Sequence, residues 1–331
     1  MTRRPRIAVV FTGGTIGMTV DPVAGGAVPT LDGAGLLAAV PGLDELADLV
    51  SFDLGRTPAS HLGFADVLRI RGIVDEALDD PAIRGVVVVQ GTDTLEETAF
   101  AWDLCHRDPR PVVVTGAMRN ASEPDWDGPA NLRGSVRVAA STAARGGGVL
   151  VCLAGSVHAA DAVAKRHATA IDAFRTRDGA PLGRVGERGA RLRPRGPRRI
   201  LPTTPAAAAL PVAIVTAALD TTGVELDGAV RDGARAVVVA ATGAGNTHPD
   251  LLRAAVAAQA AGIPVALASR TGAGSVGPFY AFPGGGATWL RAGILSAGGL
   301  TAVQARVALA LGIGAGLGGE RLRALLAGSR A

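Results

Sequence analysis

The sequence predicts an α/β protein with two domains: a larger N-terminal domain built on a mostly parallel sheet, and a smaller C-terminal domain on a parallel sheet. The first observation is a set of short, continuous apolar runs without polar alternation, as in strands buried on both faces. The second is that helical patterns lie between these runs, which favours right-handed crossovers between parallel strands. The third is the length of 331 residues, which suits two domains of ordinary size.

The predicted strands each end in a small polar turn. In the N-terminal half the runs are 7–11, 86–89, 112–114 and 149–153, and in the C-terminal half they are 212–215, 236–240 and 265–268. Between the halves lies a Pro/Arg-rich segment, with six arginines from Arg188 to Arg199. We therefore expect an N-terminal domain over residues 1–189, a linker over 190–211 and a C-terminal domain over 212–331.

Several helix starts have recognisable signals. Thr94 and Glu97 have capping-box spacing, and Pro129 occupies a position typical of a first helical residue. Pro249 has the same position before a second helix, and Thr301 with Gln304 predicts a capping box for the last long helix.

Composition excludes several classes of protein. Apolar stretches are interrupted within about 15 residues, short of the ~20 needed to cross a membrane. The basic start from Met1 to Arg6 leads into an apolar run too short for a signal peptide, so we expect a cytoplasmic protein. Cys105 and Cys152 lie in apolar patterns and are expected to be packed rather than paired or metal-bound.

The net charge is +4 and the pI is about 9.9. Six arginines are concentrated between Arg188 and Arg199, in and next to the linker, without interleaved aromatic residues to stack on bases, which disfavours nucleic-acid binding. Lysine plus arginine number 33, yet the only lysine is Lys165. In a chain whose composition suggests a GC-rich genome, a surviving lysine indicates either a chemical role or chance, and composition alone leaves both open.

Chemistry is expected in the loops after the strands, because ligands bind beyond the carboxyl ends of parallel strands. Three of these loops combine threonine with glycine: Thr12-Gly-Gly-Thr15-Ile-Gly17, Gly91-Thr92-Asp93-Thr94 and Thr115-Gly-Ala-Met-Arg119. Their spacing does not match the dinucleotide or P-loop fingerprints. A nucleotide site is therefore disfavoured.

Taken together, these loops resemble the bacterial L-asparaginase family of threonine amidohydrolases. The similar segments, in the family's order, are Thr12–Gly17, Gln90-Gly-Thr-Asp-Thr-Leu-Glu-Glu97, Thr115–Arg119 and Asp127-Gly-Pro-Ala-Asn-Leu132, followed by the region from Lys165 to Phe174. The resemblance is strong over residues 5–185 and looser from Gly243-Ala-Gly-Asn246 onward. It implies hydrolysis of L-asparagine to L-aspartate and ammonia, with at most weak action on L-glutamine, without a metal or organic cofactor.

The resemblance also implies roles for single residues. Thr15 corresponds to the nucleophile that forms an acyl ester, and Lys165 to the base that poises Thr92. Asp93 would pair with Lys165 or receive the substrate's α-ammonium group, and the Ala117 carbonyl would meet the leaving amide. Backbone N–H groups around Thr92 would hold the oxyanion.

Two departures from the family are visible. Ser60 matches a residue that binds the substrate's α-carboxylate, but His61 stands where the family has glutamine, and it is either a neutral donor or an exposed loop residue. The family's lid tyrosine has no counterpart between Met18 and Thr30, although Gly25-Gly26 still suggests a mobile lid. Either Thr15 is activated by another proton route, or the only tyrosine, Tyr280, enters from elsewhere.

The resemblance places each site between subunits of a homotetramer, a dimer of dimers. Asn246, His248 or Tyr280 would then act across the interface, although His248 is equally interpretable as a helix cap before Pro249.

Two alternatives to an asparaginase stay open at this point. One is a catalytically silent amino-acid sensor on the same fold; the other is the amidase subunit of a tRNA-dependent amidotransferase, whose extra N-terminal domain we expect to be missing here.

Overall fold

The computed structural model describes residues 4–328, so Met1 to Arg3 of the basic start lie outside the described residues. The chain divides into two units, Met1–Pro197 and Arg198–Ala331. The division falls inside the Pro/Arg-rich segment that the sequence offers as a linker.

The first unit contains the following strands: β1 Arg6–Phe11, β2 Met18–Asp21, β3 Gly26–Pro29, β4 Asp48–Asp53, β5 Ile83–Val89, β6 Val112–Thr115, β7 Val149–Leu153, β8 Ser156–Ala159, β9 Val163–Lys165, β10 Phe174–Thr176, β11 Gly183–Gly186 and β12 Gly189–Leu192. Eight of them form one sheet in the order β12-β11-β8-β7-β6-β5-β1-β4. The pairs β2–β3 and β9–β10 form separate antiparallel hairpins.

The five strands from β4 to β7 in this sheet are parallel, which confirms the mostly parallel sheet. Residues of both strand faces, such as Val87 and Val88, have no exposed surface, as the unbroken apolar runs predict. Strands β8, β11 and β12 extend the sheet in antiparallel fashion. The start of the expected linker belongs to β12, where Ala190 and Leu192 pack on the core while Arg191 is exposed.

The helices of this unit are α1 Gly33–Ala38, α2 Leu43–Leu46, α3 Phe64–Asp79, α4 Leu95–Cys105 and α5 Gly128–Ala140, with 3-10 turns at Thr15–Gly17, Ala59–His61 and Thr142–Ala144. Pro129 lies in the first turn of α5, one position after the helix start at Gly128 rather than at the first residue as predicted. Helices α1, α2 and α5 share one apolar cluster with the sheet. Helices α3 and α4 pack on each other, joined by a hydrogen bond from the Trp102 indole to the Val67 carbonyl, and lie on the other face.

This layout creates a topological switch point between β1 and β5. The two strands are adjacent and parallel, but the chain leaves β1 toward α1 on one face and leaves β5 toward α4 on the other. Diverging loops of this kind leave a crevice at the carboxyl ends of the strands. The crevice is therefore expected between the Thr12–Gly17 and Gln90–Thr94 loops.

The second unit has a four-stranded sheet, β13 Val212–Thr216, β14 Ala236–Ala241, β15 Val265–Ser269 and β16 Leu295–Ser296, in that order and wholly parallel. Its helices are α6 Val224–Arg231, α7 Pro249–Ala260, α8 Gly286–Arg291, α9 Ala302–Gly314 and α10 Gly319–Ala327. The predicted parallel C-terminal domain is therefore confirmed. So are the start of α7 at Pro249 and the Thr301–Gln304 capping box of α9.

Both cysteines are buried, and they do not form a disulfide. Burial raises the pKa of the Cys152 thiol to about 12, which makes it an unreactive packing residue. Among residues 4–328, no helix has the length and apolar character needed to cross a membrane.

Candidate active site

Two glycines bring the first loop against its neighbours. Gly13 and Gly14 have backbone φ angles of +108° and +103°, which residues with a side chain rarely adopt. A Cβ on Gly14 would lie 2.3 Å from the Gly91 nitrogen, and one on Gly13 would lie 2.7 Å from the Arg56 carbonyl carbon. Only glycine permits this packing. It places Thr15, the next residue, beside the loop that carries Thr92.

Thr15 begins the 3-10 turn Thr15–Gly17 and is partly exposed, whereas Ile16 and Gly17 are buried. Within residues 4–328 no hydrogen-bond partner of the Thr15 hydroxyl is found. A hydroxyl without a protein partner, at the switch-point crevice, is positioned as a nucleophile would be.

Lys165 joins two residues of the second loop. Its Nζ donates to Thr92 Oγ1 over 3.0 Å and to Asp93 Oδ1 over 2.9 Å. Thr92 is buried and the Lys165 side chain is 18% exposed, whereas the Asp93 carboxylate is 66% exposed. The structure thus brings together the three residues that the family resemblance groups.

Glu96 holds the backbone of Lys165. The Lys165 N–H, at the end of β9, donates to Glu96 Oε2 over 2.7 Å, so the first turn of α4 is tied to the lysine strand. Burial raises the pKa of the Glu96 carboxyl, and the hydrogen bond from Lys165 partly opposes this rise. Sequence reasoning missed this residue, since the motif marks Glu96 only as one of two acids early in α4.

The hairpin that carries Lys165 is anchored through His158. The His158 Nδ1 lies 2.8 Å from the hydroxyl of Thr176 on β10, the strand paired with β9. His158 is 3% exposed, and burial lowers the pKa of its imidazole from 6.5 to about 4. It is therefore neutral near pH 7.

This burial predicts an acid-sensitive stability. Below pH 6.5 the unfolded chain binds a proton at this histidine that the folded chain accepts only near pH 4, so stability is lost as the pH falls through this window. The shift corresponds to about 3 kcal/mol in the free energy of unfolding. Denaturant unfolding from pH 7 to pH 4 should show a shallower decline for His158→Gln, whereas the exposed control His167→Gln should keep the decline of the unaltered protein. Equal slopes for both variants would contradict the prediction.

The third loop packs against the second. A Cβ on Gly116 would lie 2.4 Å from the backbone carbonyl oxygen of Gln90 and 3.3 Å from Thr92 Cγ2. Ala117, the next residue, is buried. The loop is also held from the other side by the side chains of Asp127, which precedes α5, and Asn131 on α5. The sequence shows the motif that contains both residues but does not predict these contacts.

Ser60 and His61 are exposed on the 3-10 turn Ala59–His61. The turn is fixed by Thr94, whose hydroxyl donates to the Ala59 carbonyl over 2.9 Å. The predicted capping box at Thr94 is therefore wrong, because this hydroxyl makes no cap hydrogen bond to α4 and holds a neighbouring loop instead. The turn also lies close to Gly91, where an added Cβ would be 2.8 Å from the Ala59 Cβ.

The predicted cross-subunit residues lie in the second unit. Asn246 Oδ1 accepts from the Gly286 N–H over 3.3 Å, and His248 Nδ1 accepts from the Asp250 N–H over 3.2 Å as the cap of α7. Tyr280 is 47% exposed, with its ring 5.8 Å from that of Phe282. The cap interpretation of His248 is thus confirmed within the chain.

The stretch after Gly17, which lacks a tyrosine, forms the hairpin β2–β3. Its base is joined to the segment just after the third loop by hydrogen bonds from the Ala121 N–H to the Met18 carbonyl and from the Val20 N–H to the Ser122 hydroxyl. Val23, at the turn of the hairpin, is 96% exposed. In the described part of the chain, no group of three or more His, Cys, Asp or Glu side chains could hold a metal ion.

Comparison with known proteins gives a consistent result over the whole chain. Residues 6–196 match the family model described as the N-terminal domain of asparaginase, and residues 211–326 match that of the glutaminase/asparaginase C-terminal domain. The chain is 36% identical to a probable L-asparaginase of Deinococcus radiodurans, covering 96% of each chain. It is 28% identical to an L-asparaginase of Bacillus licheniformis, covering 92% of this chain and 94% of that one.

A solved structure gives the same result. The crystal structure of a probable cytoplasmic L-asparaginase from Campylobacter jejuni superposes with a TM-score of 0.84 at 28% identity, covering 98% of this chain and 99% of that one.

Proposed function

The chain belongs to the asparaginase family, and on this premise we propose that it hydrolyses L-asparagine to L-aspartate and ammonia through an acyl ester on Thr15. Its family and its relatives identify the protein as an enzyme of the L-asparaginase class. The covalent intermediate and the roles of single residues are our proposal.

The contact that carries the proposal is the one between Lys165 and the second loop. Its Nζ lies 3.0 Å from Thr92 Oγ1 and 2.9 Å from Asp93 Oδ1. A lysine in contact with both a hydroxyl and a carboxylate can transfer protons within this hydrogen-bonded group, because its amine accepts a proton when it is neutral. A silent binding protein has no need of this arrangement, so the geometry supports a catalyst.

The reaction runs in two balanced steps. The Thr15 oxygen attacks the side-chain amide carbon, its proton passes to the leaving nitrogen, and the C–N bond breaks to release ammonia. Water then attacks the ester, its proton returns to the Thr15 oxygen, and L-aspartate leaves. We assign the developing oxyanion to the backbone N–H groups of Thr92 and Asp93, for which the described residues offer no protein acceptor and which lie just before α4.

The exposed parts of the crevice suit the amino-acid end of the substrate. The Asp93 carboxylate is open to solvent and suits an α-ammonium group, while Ser60 and His61 offer donors for an α-carboxylate. Because His61 has no side-chain partner within residues 4–328, it is free to turn toward a ligand.

Steady-state kinetics with the purified protein test the proposal. Ammonia release from L-asparagine is expected, with weaker release from L-glutamine and none from D-asparagine. Binding of L-asparagine without ammonia release would favour the sensor alternative. Ammonia release from L-glutamine alone would contradict the assigned substrate.

We further propose that the active form is a homotetramer, in which Asn246, His248 or Tyr280 of one subunit completes the site of another. The cap of α7 uses only Nδ1 of His248, so Nε2 remains available, and Tyr280 and Phe282 are about half exposed. Light scattering at assay concentrations should give four times the chain mass. A fully active monomer would contradict this assembly.

We also propose a cytoplasmic location, supported by the likeness to the Campylobacter jejuni protein. Cell fractionation should recover the activity with cytoplasmic marker enzymes. Recovery with the cell envelope or the medium would contradict it.

A further inference from the structure

The third loop is held by two side chains of the α5 start. Asp127 is buried and accepts hydrogen bonds from the backbone N–H groups of Met118, over 3.0 Å, and Arg119, over 2.9 Å. Asn131 is 3% exposed, and its amide donates over 3.0 Å to the Gly116 carbonyl and over 2.9 Å to the Asp127 carboxylate. These contacts flank Ala117 on both sides.

Asn131 is itself fixed. Its Oδ1 accepts from the Ala154 N–H over 2.9 Å, so its NH2 group must face Gly116 and Asp127. Asp127 precedes α5 but makes no side-chain cap to it, because its carboxylate is occupied by the loop. The pair therefore acts as a clamp from the rigid helix onto residues 116–119.

The clamp determines the direction of one carbonyl. The Ala117 C=O and the Met118 N–H belong to the same peptide unit, which is planar and trans, so they point in opposite directions. Because the N–H points at Asp127, the carbonyl points away from it. No donor to the Ala117 carbonyl is found within residues 4–328, although Ala117 is only 1% exposed. A buried carbonyl with no partner suits a ligand N–H.

We propose that Asp127, supported by Asn131, is a positioning residue that aims the Ala117 carbonyl at the leaving nitrogen of the amide. This inference rests on the proposed function. As the C–N bond breaks, the nitrogen gains a proton and positive charge, so its hydrogen bond to a fixed carbonyl strengthens in the transition state. An interaction of this kind contributes to kcat rather than to binding.

The experiment compares two substrates that differ in the leaving group. L-asparagine has N–H groups that can donate to the carbonyl, whereas the β-methyl ester of L-aspartate has none at its leaving oxygen. For Asp127→Asn we expect kcat on L-asparagine to fall by about 10- to 100-fold, as for loss of one oriented hydrogen bond in a site. On the ester kcat should stay within about threefold, since the bond is not made there.

Asp125→Asn is the matched control, because Asp125 lies between the third loop and α5 and its side chain is 55% exposed. Among the described residues, the hydrogen-bond partner of this carboxylate is the Arg119 side chain, at 3.2 Å. It should leave both substrates unaffected. If Asp127→Asn does not fold, Asn131→Leu, which removes the hold on the Gly116 carbonyl, provides the same comparison. Equal losses on amide and ester, or no loss on either, would overturn the positioning role. Absence of activity of the unaltered protein on L-asparagine would instead overturn the proposed function.

Discussion

Thr15→Ala is expected to lower kcat on L-asparagine by at least about 10³-fold, as for removal of a covalent nucleophile. The Thr15 hydroxyl lies in the switch-point crevice, and no protein partner holds it in residues 4–328. The alanine variant should still bind L-aspartate, since the residues proposed to bind its α-groups lie in other loops. Ammonia release and isothermal titration measure the two effects separately.

Thr19→Ala is a suitable control, because it removes a threonine hydroxyl on β2 in the same region of the chain. It should retain most of the activity. Mass spectrometry of the unaltered protein quenched during turnover should find the acyl group on the peptide that carries Thr15. An acyl group on Thr92 would reassign the nucleophile.

Much of the fold follows from the apolar runs. The strands β1, β5, β6 and β7 and the strands β14 and β15 of the second unit are buried on both faces, and their sequences are almost uninterrupted in Val, Ile, Leu and Ala. Shorter strands were missed, because they mix polar and apolar residues. Strand β12 is an example, since its alternation of Ala190, Arg191 and Leu192 is the pattern of an edge strand with one buried face, hidden in an arginine-rich segment.

The candidate site is indicated by sequence motifs rather than by apolar runs. Motifs identify Thr15, Thr92, Asp93 and Lys165, but the contacts of the last three depend on tertiary structure, since 72 residues separate Asp93 from Lys165. Positioning residues such as Asp127 and Glu96 escape sequence reasoning because acids near a helix start have an ordinary explanation in the helix dipole. Only the structure shows that their carboxylates accept from backbone N–H groups of other segments.

Lys165→Arg is expected to lower kcat by about 10²- to 10⁴-fold, as for loss of a general base. Arginine keeps the positive charge and nearly the same reach toward Asp93, but its guanidinium does not give up a proton below pH 12. If Lys165 served only as a charge partner, the loss would stay near tenfold, or about 1.4 kcal/mol of transition-state stabilisation. The size of the loss therefore separates a proton-transfer role from an ion pair.

The composition makes this substitution informative. Of the 33 basic side chains, Lys165 alone is lysine, so arginine is the replacement that the bias of this sequence would most readily supply. Arg166→Lys is the matched control, because it makes the reverse exchange at the adjacent, exposed position. It should leave kcat unchanged, and thermal unfolding and light scattering should be the same for both variants. A Lys165→Arg protein that turns over L-asparagine within tenfold of the unaltered rate would exclude proton transfer by Lys165. The presence of a single lysine would then be a matter of chance in a chain whose other basic residues are arginines.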